Sequence, residues 1–254
     1  MSAAIDVRVM TQNCAAFKLL WAVRVAILVA RVKVNRPDIL TCVELYAARR
    51  PKMTKLLKGL GYDCVGTHMG KVIYRRRGRG IVAHEGSLLR MHLGNGKHAL
   101  ACRFEHRSGT TFVVTVSHLS WQIRYDKRRH SQTHRLISMT RKRYGTTVPT
   151  IHTGDYNSSI RKGKRKRDAV GAVFKSRGFL EAFTAARLHE CERYNSSNRF
   201  LRPPPRNGVH LDRVFGDRVQ FVTWLLDYYP PRARRPFYGA DHFGLVVDVL
   251  IPSK

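Results

Sequence analysis

The chain has 254 residues, of which 47 are Lys or Arg and 17 are Asp or Glu, so its formal net charge is +30. With 43% hydrophobic residues it has enough apolar material for a core, which excludes global disorder. The most apolar stretch, residues 17–34, carries four Lys or Arg side chains, which excludes a membrane span there.

The first part of the chain predicts alternating strands and helices. We expect a strand over residues 5–10, a helix over 14–34, a short buried strand over 38–43 and a second helix over 50–60. Pro37 ends the first helix, because the residue before a proline is pushed out of the helical region. Gly61 ends the second helix.

The rest of the chain predicts a β-meander followed by a return of the strand and helix pattern. The expected strands of the meander, separated by turn residues, are 63–67, 71–75, 80–84, 87–92, 98–106 and 111–118. The later elements are a long basic helix over 124–144, a strand over 148–153, a helix over 169–176 and strands over 209–215, 219–226 and 244–251. No stretch is typical of a linker. We therefore predict one α+β domain over residues 1–254, with two stacked, mainly antiparallel sheets and helices outside.

The basic residues are unevenly distributed. Arg outnumbers Lys by 33 to 14, and basic residues cluster at 75–79, 124–143, 161–167 and 232–235. The Arg side chain presents a planar fork that matches phosphate oxygens. Any one cluster could be a solvated surface or a result of codon bias. Four clusters on one chain favour a nucleic-acid partner.

The cysteines and the first residues indicate a cellular setting. The five cysteines form no CxxC pair and are odd in number, which is typical of a reduced, intracellular protein with buried thiols and no disulfide. Residues 1–10 alternate like a strand and carry Asp6, so we do not expect a signal peptide. We favour a monomer.

The few acidic residues stand where predicted strands end. Glu44 follows the strand over 38–43, Asp155 follows the strand over 148–153, and Asp212 and Asp241 stand near the closing strands. Carboxylate and amide oxygens that converge from several strand ends suit Mg²⁺ or Mn²⁺. Each residue alone is better explained structurally, as a turn, a cap or a surface acid.

Taken together and in order, these motifs resemble the endonuclease/exonuclease/phosphatase superfamily, of which the deoxyribonuclease I-like fold is typical. The matching segments extend over nearly the whole chain and are Thr11-Gln12-Asn13, Pro37-Asp38 to Glu44, Ser117-His118-Leu119, Gly154-Asp155-Tyr156-Asn157, Leu211-Asp212-Arg213 and Ala240-Asp241-His242. The resemblance implies a four-layered α/β sandwich.

The resemblance also implies roles for individual residues. Glu44 would be the principal ligand of Mg²⁺ or Mn²⁺, with Asn13 and Asp241 beside it. Asp155 would orient and deprotonate the attacking water, and Asn157 would position phosphate or water. Further roles fall to Asp212, which would hold His242 against the scissile phosphate, and to His118 and Arg103, which would contact phosphate.

Two positions depart from the family pattern. The glutamate expected to partner His118 is absent, since residues 64–84 contain no acid, and Val43 stands where a glutamine usually precedes the metal-binding glutamate. These differences favour an intracellular or mobile-element enzyme over a secreted nuclease.

The sequence therefore predicts a divalent-metal-dependent phosphodiesterase acting on nucleic acid, with a DNA endonuclease favoured over an enzyme acting on RNA. One alternative is a phosphoesterase acting on lipid headgroups or inositol phosphates. The other is a nucleic-acid-binding protein without catalytic activity.

Overall fold

The computed structural model describes residues 4–15, 21–122, 125–158, 168–190, 196, 210–227 and 240–253. Two seven-stranded sheets pack face to face, and helices cover their outer faces. The predicted four-layered α/β sandwich is confirmed.

The first sheet has the strand order β11-β13-β14-β1-β2-β4-β3. Its strands are β1 (Ile5–Asn13), β2 (Ile39–Val43), β3 (Tyr62–His68), β4 (Lys71–Arg76), β11 (Leu188–His189), β13 (Gln220–Asp227) and β14 (Gly244–Ile251). Helices α1 (Trp21–Asn35) and α2 (Arg50–Gly59) pack on its outer face.

The second sheet has the order β10-β12-β9-β8-β7-β5, and β6 also pairs with β7. Its strands are β5 (Ile81–Ala83), β6 (Leu89–Gly94), β7 (Lys97–His106), β8 (Thr111–His118), β9 (Thr150–Asp155), β10 (Leu180–Glu181) and β12 (Asp212–Asp217). Helices α3 (Asp126–Tyr144) and α4 (Ala169–Ser176) cover its outer face, and the short α5 (Ala182–Ala185) follows β10. Most pairings are antiparallel, but β1–β2, β8–β9 and β11–β13 run parallel.

The alternation of side chains along each strand separates the central core from the outer cores. In β1, Val7 and Val9 lie in the core between the sheets, whereas Met10 packs with α1 and α2. In β8, Val114 and Val116 lie in the central core and Val113 packs with α3 and α4. Because successive side chains point to opposite faces, the face that a residue within a strand occupies follows from this phase.

The differences from the predicted elements are local. Cys14 and Ala15 are not helical, and among the described residues α1 begins at Trp21. The sequence did not predict β10, α5 or β11, because elements of two to four residues are too short to show a period. Among the described cysteines, Cys14, Cys42 and Cys102 are buried thiols, whereas Cys64 is exposed, contrary to expectation. In the described part of the chain, no helix is both long enough and apolar enough to cross a bilayer.

Gly154 is a position where the fold requires glycine. Its φ is +135°, and a Cβ there would clash with the carbonyl oxygen of Ser117 on the neighbouring strand. We expect Gly154→Ala to lower the free energy of unfolding by about 3 kcal/mol, since it adds both backbone strain and overpacking.

Gly59→Ala in α2 is the matched control, because nothing lies within 4 Å of the added Cβ and the backbone is helical. This variant should be neutral or stabilising by up to about 1 kcal/mol in urea unfolding. Equal stability of the two variants would contradict the close approach at Gly154.

Candidate metal and phosphate site

The strand ends of both sheets meet at one edge of the sandwich. In the first sheet β1 and β2 run parallel, with Asn13 opposite Val43, so Asn13 and Glu44 emerge side by side. In the second sheet Asp155 lies opposite both His118 and Asp212. Asn13, His118, Asp155 and Asp212 are in phase with the central-core residues of their strands, so they point into the space between the sheets. Glu44 follows the end of β2 at a left-handed φ of +59°, and its carboxylate accepts a hydrogen bond from Asn13.

Asn13 joins the two sheets. Its amide nitrogen donates to Glu44 Oε1 at 3.3 Å and to Asp155 Oδ2 at 3.0 Å, and its amide oxygen accepts from the backbone N–H of Ala15 at 2.9 Å. Asn13 therefore presents a donor to the carboxylates, and use of its oxygen as a metal ligand would require the amide to rotate. A second bridge, between the hydroxyls of Thr41 and Thr153 at 2.8 Å, ties the sheets together beneath the site.

Two buried arginines hold the segment after Asn13. Arg24 donates to the carbonyl oxygen of Cys14 at 2.7 Å, and Arg49 donates to that of Ala15 at 3.1 Å. Ala15 has a φ of +51°, which turns the chain away from the strand. These contacts explain why the helix does not begin at Cys14, and they fix the backbone to which the Asn13 amide is anchored.

His118 lies between the two central carboxylates. Its Nδ1 is 3.8 Å from Glu44 Oε1, and its Nε2 is 3.7 Å from Asp155 Oδ2. Burial, reinforced by Lys97 and Lys71, lowers the pKa of His118 to about 4 despite the opposing effect of Asp155. His118 is therefore neutral at physiological pH.

His242 has the opposite protonation state. Its Nδ1 is 2.6 Å from Asp212 Oδ2, and both side chains are buried. Burial lowers the pKa of His242, but Asp212, followed by Asp155 and Asp241, outweighs it and raises the pKa to about 10. The site therefore holds one neutral imidazole and one imidazolium, on either side of Asp155.

The turn after β9 fixes Asp155. The backbone N–H of Asn157 donates to Asp155 Oδ1 at 2.9 Å, and Asn157 adopts a left-handed φ of +50°. The side-chain nitrogen of Asn157 donates to the carbonyl oxygen of Leu119 at 3.1 Å, which leaves its amide oxygen available. Asp155 is thus oriented through both of its oxygens.

The same edge has a donor set that fits a divalent cation. Two groups of described residues, Glu44–His118–Asp155 and Asp155–Asp212–His242, bring their ligand atoms within 4.8 Å of one another. Burial, together with Asp155 and Asp241, raises the pKa of Glu44 against the hydrogen bond from Asn13. Asp212 and Asp241 each keep a buried Oδ1 without a hydrogen-bond partner. Crowded carboxylates with unsatisfied oxygens suit a hard divalent cation such as Mg²⁺ or Mn²⁺.

Two lysines at this edge were missed in the sequence. Lys71 is buried at the start of β4, in phase with Ile73 of the central core, and Lys97 stands at the start of β7. Burial and Lys97 lower the pKa of Lys71 to about 8 against the effect of Glu44, and burial lowers that of Lys97 against Asp155 and Glu44. The alternation of Lys71 with Ile73 was the available signal, since it places a lysine on a core-facing position.

Arg103 does not belong to this site. It lies on β7 in phase with Ala99 and Ala101, which face the outer helices, and six residues from Lys97 at the strand end that reaches the site. Its guanidinium donates to the carbonyl oxygen of Tyr144 at 3.0 Å, at the C-terminal end of α3. The expected phosphate contact by Arg103 is therefore wrong, because the side chain points to the opposite face of the sheet.

The contrast between the two histidines is testable in metal-free protein. We expect NMR of labelled histidine to show His242 protonated at about pH 8, and Asp212→Asn to make it neutral there, because burial then dominates its pKa. Because the pKa of His242 is raised in the folded state, the His242–Asp212 pair stabilises the fold fully below about pH 6.5, the pKa of an unperturbed histidine. This contribution to the free energy of unfolding disappears as the pH rises towards 10. His118 is the internal control and should stay neutral in both proteins. A neutral His242 in the wild-type protein would contradict the assignment.

Comparison by sequence finds no relative. No protein-family model matches the chain, and no curated protein matches it.

Comparison by structure finds the same fold in other proteins. An endonuclease/exonuclease/phosphatase family protein from Bacteroides thetaiotaomicron superposes with a TM-score of 0.82 at 15% identity, over 99% of this chain and 100% of that chain. A mannosyl-6-phosphatase from the same bacterium gives 0.80 at 16% identity, over 96% and 99%. D. rerio TDP2 complexed with a single-strand DNA product gives 0.75 at 18% identity, over 96% and 98%. The chain has the endonuclease/exonuclease/phosphatase fold.

Proposed function

We propose that this protein is a divalent-metal-dependent phosphodiesterase that hydrolyses nucleic acid, and we favour a DNA endonuclease. The observation that carries the proposal is the convergence of Glu44, Asp155 and the Asp212–His242 pair at one edge of the sandwich. An anionic diester resists attack by water unless its charge is neutralised and the nucleophile is aligned. The edge offers groups for both tasks.

In this proposal each residue of the site has a separate role in the hydrolysis. A bound Mg²⁺ or Mn²⁺, held by Glu44 with Asp241, would supply electrostatic neutralisation of the phosphate. Asp155, oriented through the Asn157 N–H and the Asn13 amide, would align water and accept its proton. The imidazolium of His242, kept protonated by Asp212, donates to a phosphate oxygen on which negative charge develops.

The neutral His118 and the Asn157 amide oxygen complete the set. His118 lies within 4 Å of both Glu44 and Asp155, where a neutral N–H can contact phosphate without repelling the cation. The amide oxygen of Asn157 can accept from water or position it. These roles follow the protonation states and the contacts of the two side chains.

A polymeric substrate is supported by the charge and by the rim of the site. The net charge is +30, and the basic residues that produce it are distributed over the whole chain. Exposed Lys127 and Arg128 lie in the first turn of α3. This helix is tied to the site because Arg129 donates to the carbonyl oxygen of Ser120 at 2.8 Å, two residues after His118. Trp121, 67% exposed, and Tyr46, 46% exposed, follow His118 and Glu44 closely along the chain, where aromatic rings can stack on bases.

A second candidate function is hydrolysis of a small phosphorylated metabolite, such as a sugar phosphate, an inositol phosphate or a lipid headgroup. The observation that favours it is the pair Lys71 and Lys97 beside the carboxylates, since a monoester carries more negative charge than a diester. Comparison of a plasmid, a single-stranded oligonucleotide and sugar phosphates, each with Mg²⁺ and with EDTA, separates the two candidates. Binding of DNA without any Mg²⁺-dependent hydrolysis would favour the non-catalytic alternative.

Removal of the principal ligand tests the metal site. We expect Glu44→Gln to lower Mg²⁺-dependent hydrolysis of plasmid DNA by at least about 100-fold, since the carboxylate charge that holds the cation is lost. Circular dichroism and the unfolding midpoint should remain close to those of the wild-type protein, because Glu44 lies past the end of β2 and is partly exposed.

Glu85→Gln, in an exposed turn, is the matched control and should be fully active. Near-normal turnover by folded Glu44→Gln would remove Glu44 from the metal site.

Charge reversal tests the path of the polymer. We expect Lys127→Glu with Arg128→Glu to weaken DNA binding and to reduce the slope of log affinity against log salt by about 0.9 for each lost phosphate contact. Hydrolysis of a nitrophenyl phosphodiester should be unchanged, because neither side chain contacts the reacting groups.

Lys142→Glu with Arg143→Glu makes the same charge change at the other end of α3, where Tyr144 contacts Arg103, and should have the smaller effect. Equal losses for both pairs would mean that only the overall charge matters. The basic run at 161–167, which lies outside the described residues, can be tested in the same way.

A further inference from the structure

Three histidines form a cluster beside the site that the proposed chemistry does not use. His68 ends β3, His92 lies near the end of β6 and His98 is the second residue of β7. His68 Nε2 lies 3.2 Å from His98 Nδ1, and the ring centroids of His92 and His98 are 4.9 Å apart. The cluster therefore bridges the two sheets at the edge where the carboxylates also lie.

The strand registers place this cluster next to the site. Ala99 pairs with Ser117, so His98 reaches the same edge as His118 on the neighbouring strand. In the first sheet His68 pairs with Lys71, whose ammonium lies close enough to Glu44 to feel its charge. Neighbouring strands are about 4.8 Å apart, so the cluster lies within about 10 Å of the carboxylates.

The surroundings of the cluster are cationic. Burial lowers the pKa of His68, and Lys71, Arg90 and His92 lower it further. Burial likewise lowers the pKa of His98, with His68, Lys71 and His92 adding to the effect. Within the described part of the chain, no carboxylate is among the groups that act on either imidazole.

This environment suits an anion and disfavours a metal ion. Lys71 and Arg90 supply positive charge beside imidazoles that are themselves neutral, and a bound anion would be attracted by that charge and could accept hydrogen bonds from imidazole N–H groups. A divalent cation on the same imidazoles would instead be repelled by Lys71 and Arg90. The three histidines are also absent from the groups of described residues whose ligand atoms lie within 4.8 Å of one another.

We propose that His68, His92 and His98, with Lys71 and Lys97, bind a second phosphate group of the substrate, next to the phosphate that is hydrolysed. The inference rests on the proposed phosphodiesterase function. The subsite predicts that substrates with two neighbouring phosphates, such as nucleotides within a strand or at a phosphorylated end, bind more tightly than substrates with one. Lys71 acts on both Glu44 and the histidine cluster, and Lys97 acts on Glu44 and Asp155 and precedes His98, so the two lysines would neutralise charge on both phosphates.

Two pairs of small chromogenic diesters test this subsite. One pair is thymidine 5′-(nitrophenyl phosphate) with and without a 3′-phosphate, and the other is thymidine 3′-(nitrophenyl phosphate) with and without a 5′-phosphate. We expect the second phosphate to lower KM by about tenfold in one pair, with little change in kcat, because the added contact is charge-assisted but remote from the reacting bond.

In the variant with His68→Gln, His92→Gln and His98→Gln, that preference should disappear while turnover of the singly phosphorylated ester is retained. His130→Gln with His134→Gln is the matched control, since these two rings also pack against each other, on α3, with centroids 4.6 Å apart. If the triple variant does not fold, the single variant His92→Gln, at an exposed position, should lose part of the preference.

Binding separates failure of the subsite from failure of the proposed function. Calorimetry in EDTA should show thymidine 3′,5′-bisphosphate binding more tightly than thymidine 5′-monophosphate to the wild-type protein and equally to the triple variant, whether or not any ester is hydrolysed. Equal binding by the wild-type protein, or a preference that survives in the triple variant, would overturn the subsite. In a separate titration without EDTA, tight Zn²⁺ binding that the triple variant loses, without any phosphate preference, would replace the phosphate subsite with a metal site.

Discussion

Carboxylates from both sheets meet in a partly buried cleft, and the neighbouring groups offset the repulsion between them. Glu44 and Asp155 come from opposite sheets, and Asp212 and Asp241 stand beside them. Without compensation such a group would favour separation of the sheets or protonation of its members. The described residues compensate with the Asn13 amide, with an imidazolium at His242 and with a donor set for a cation.

The same constraint explains why two histidines in one cleft differ in protonation. His242 touches a buried carboxylate directly, so ion pairing outweighs the cost of burying its charge. His118 is further from its carboxylates, at 3.7 and 3.8 Å, and has Lys97 and Lys71 as neighbours. The glutamate that the family pattern would place beside it is missing. The result is a fixed charge on one side of Asp155 and a neutral donor on the other.

The central elements could be predicted because their patterns are regular. Residues 111–118, 169–176 and 244–251 have the bounds expected from their apolar alternation or helical period. The site residues could be predicted as a set because several weak motifs stand in a family order, and Glu44, Asp155, Asp212 and His242 do lie together. Strand parity would also have placed Lys71 in the cleft and Arg103 outside it, since each has core residues two positions away.

Other features depend on contacts that no local pattern encodes. Cys14 and Ala15 are not helical, because Arg24 and Arg49 hold their carbonyl groups. Arg213 is likewise buried against Glu181 and Asp168, and it fixes the start of β12 beside Asp212. These partners are 9 to 45 residues apart in the chain, so only the folded structure brings them together.

The arrangement of charge along the cleft gives it a direction. Asp212, Asp155 and Glu44 form an acidic half, whereas Lys71, Lys97 and the three histidines form a basic half on strands β3, β4, β6 and β7. A substrate phosphate is attracted to the acidic half only through a cation, but it is attracted to the basic half directly. Under the proposed function, a chain of phosphates would first be held by the basic half. This separation of acidic and basic groups follows from the order of strands in the two sheets, because the β3 and β6 edges lie on the same side of the sandwich.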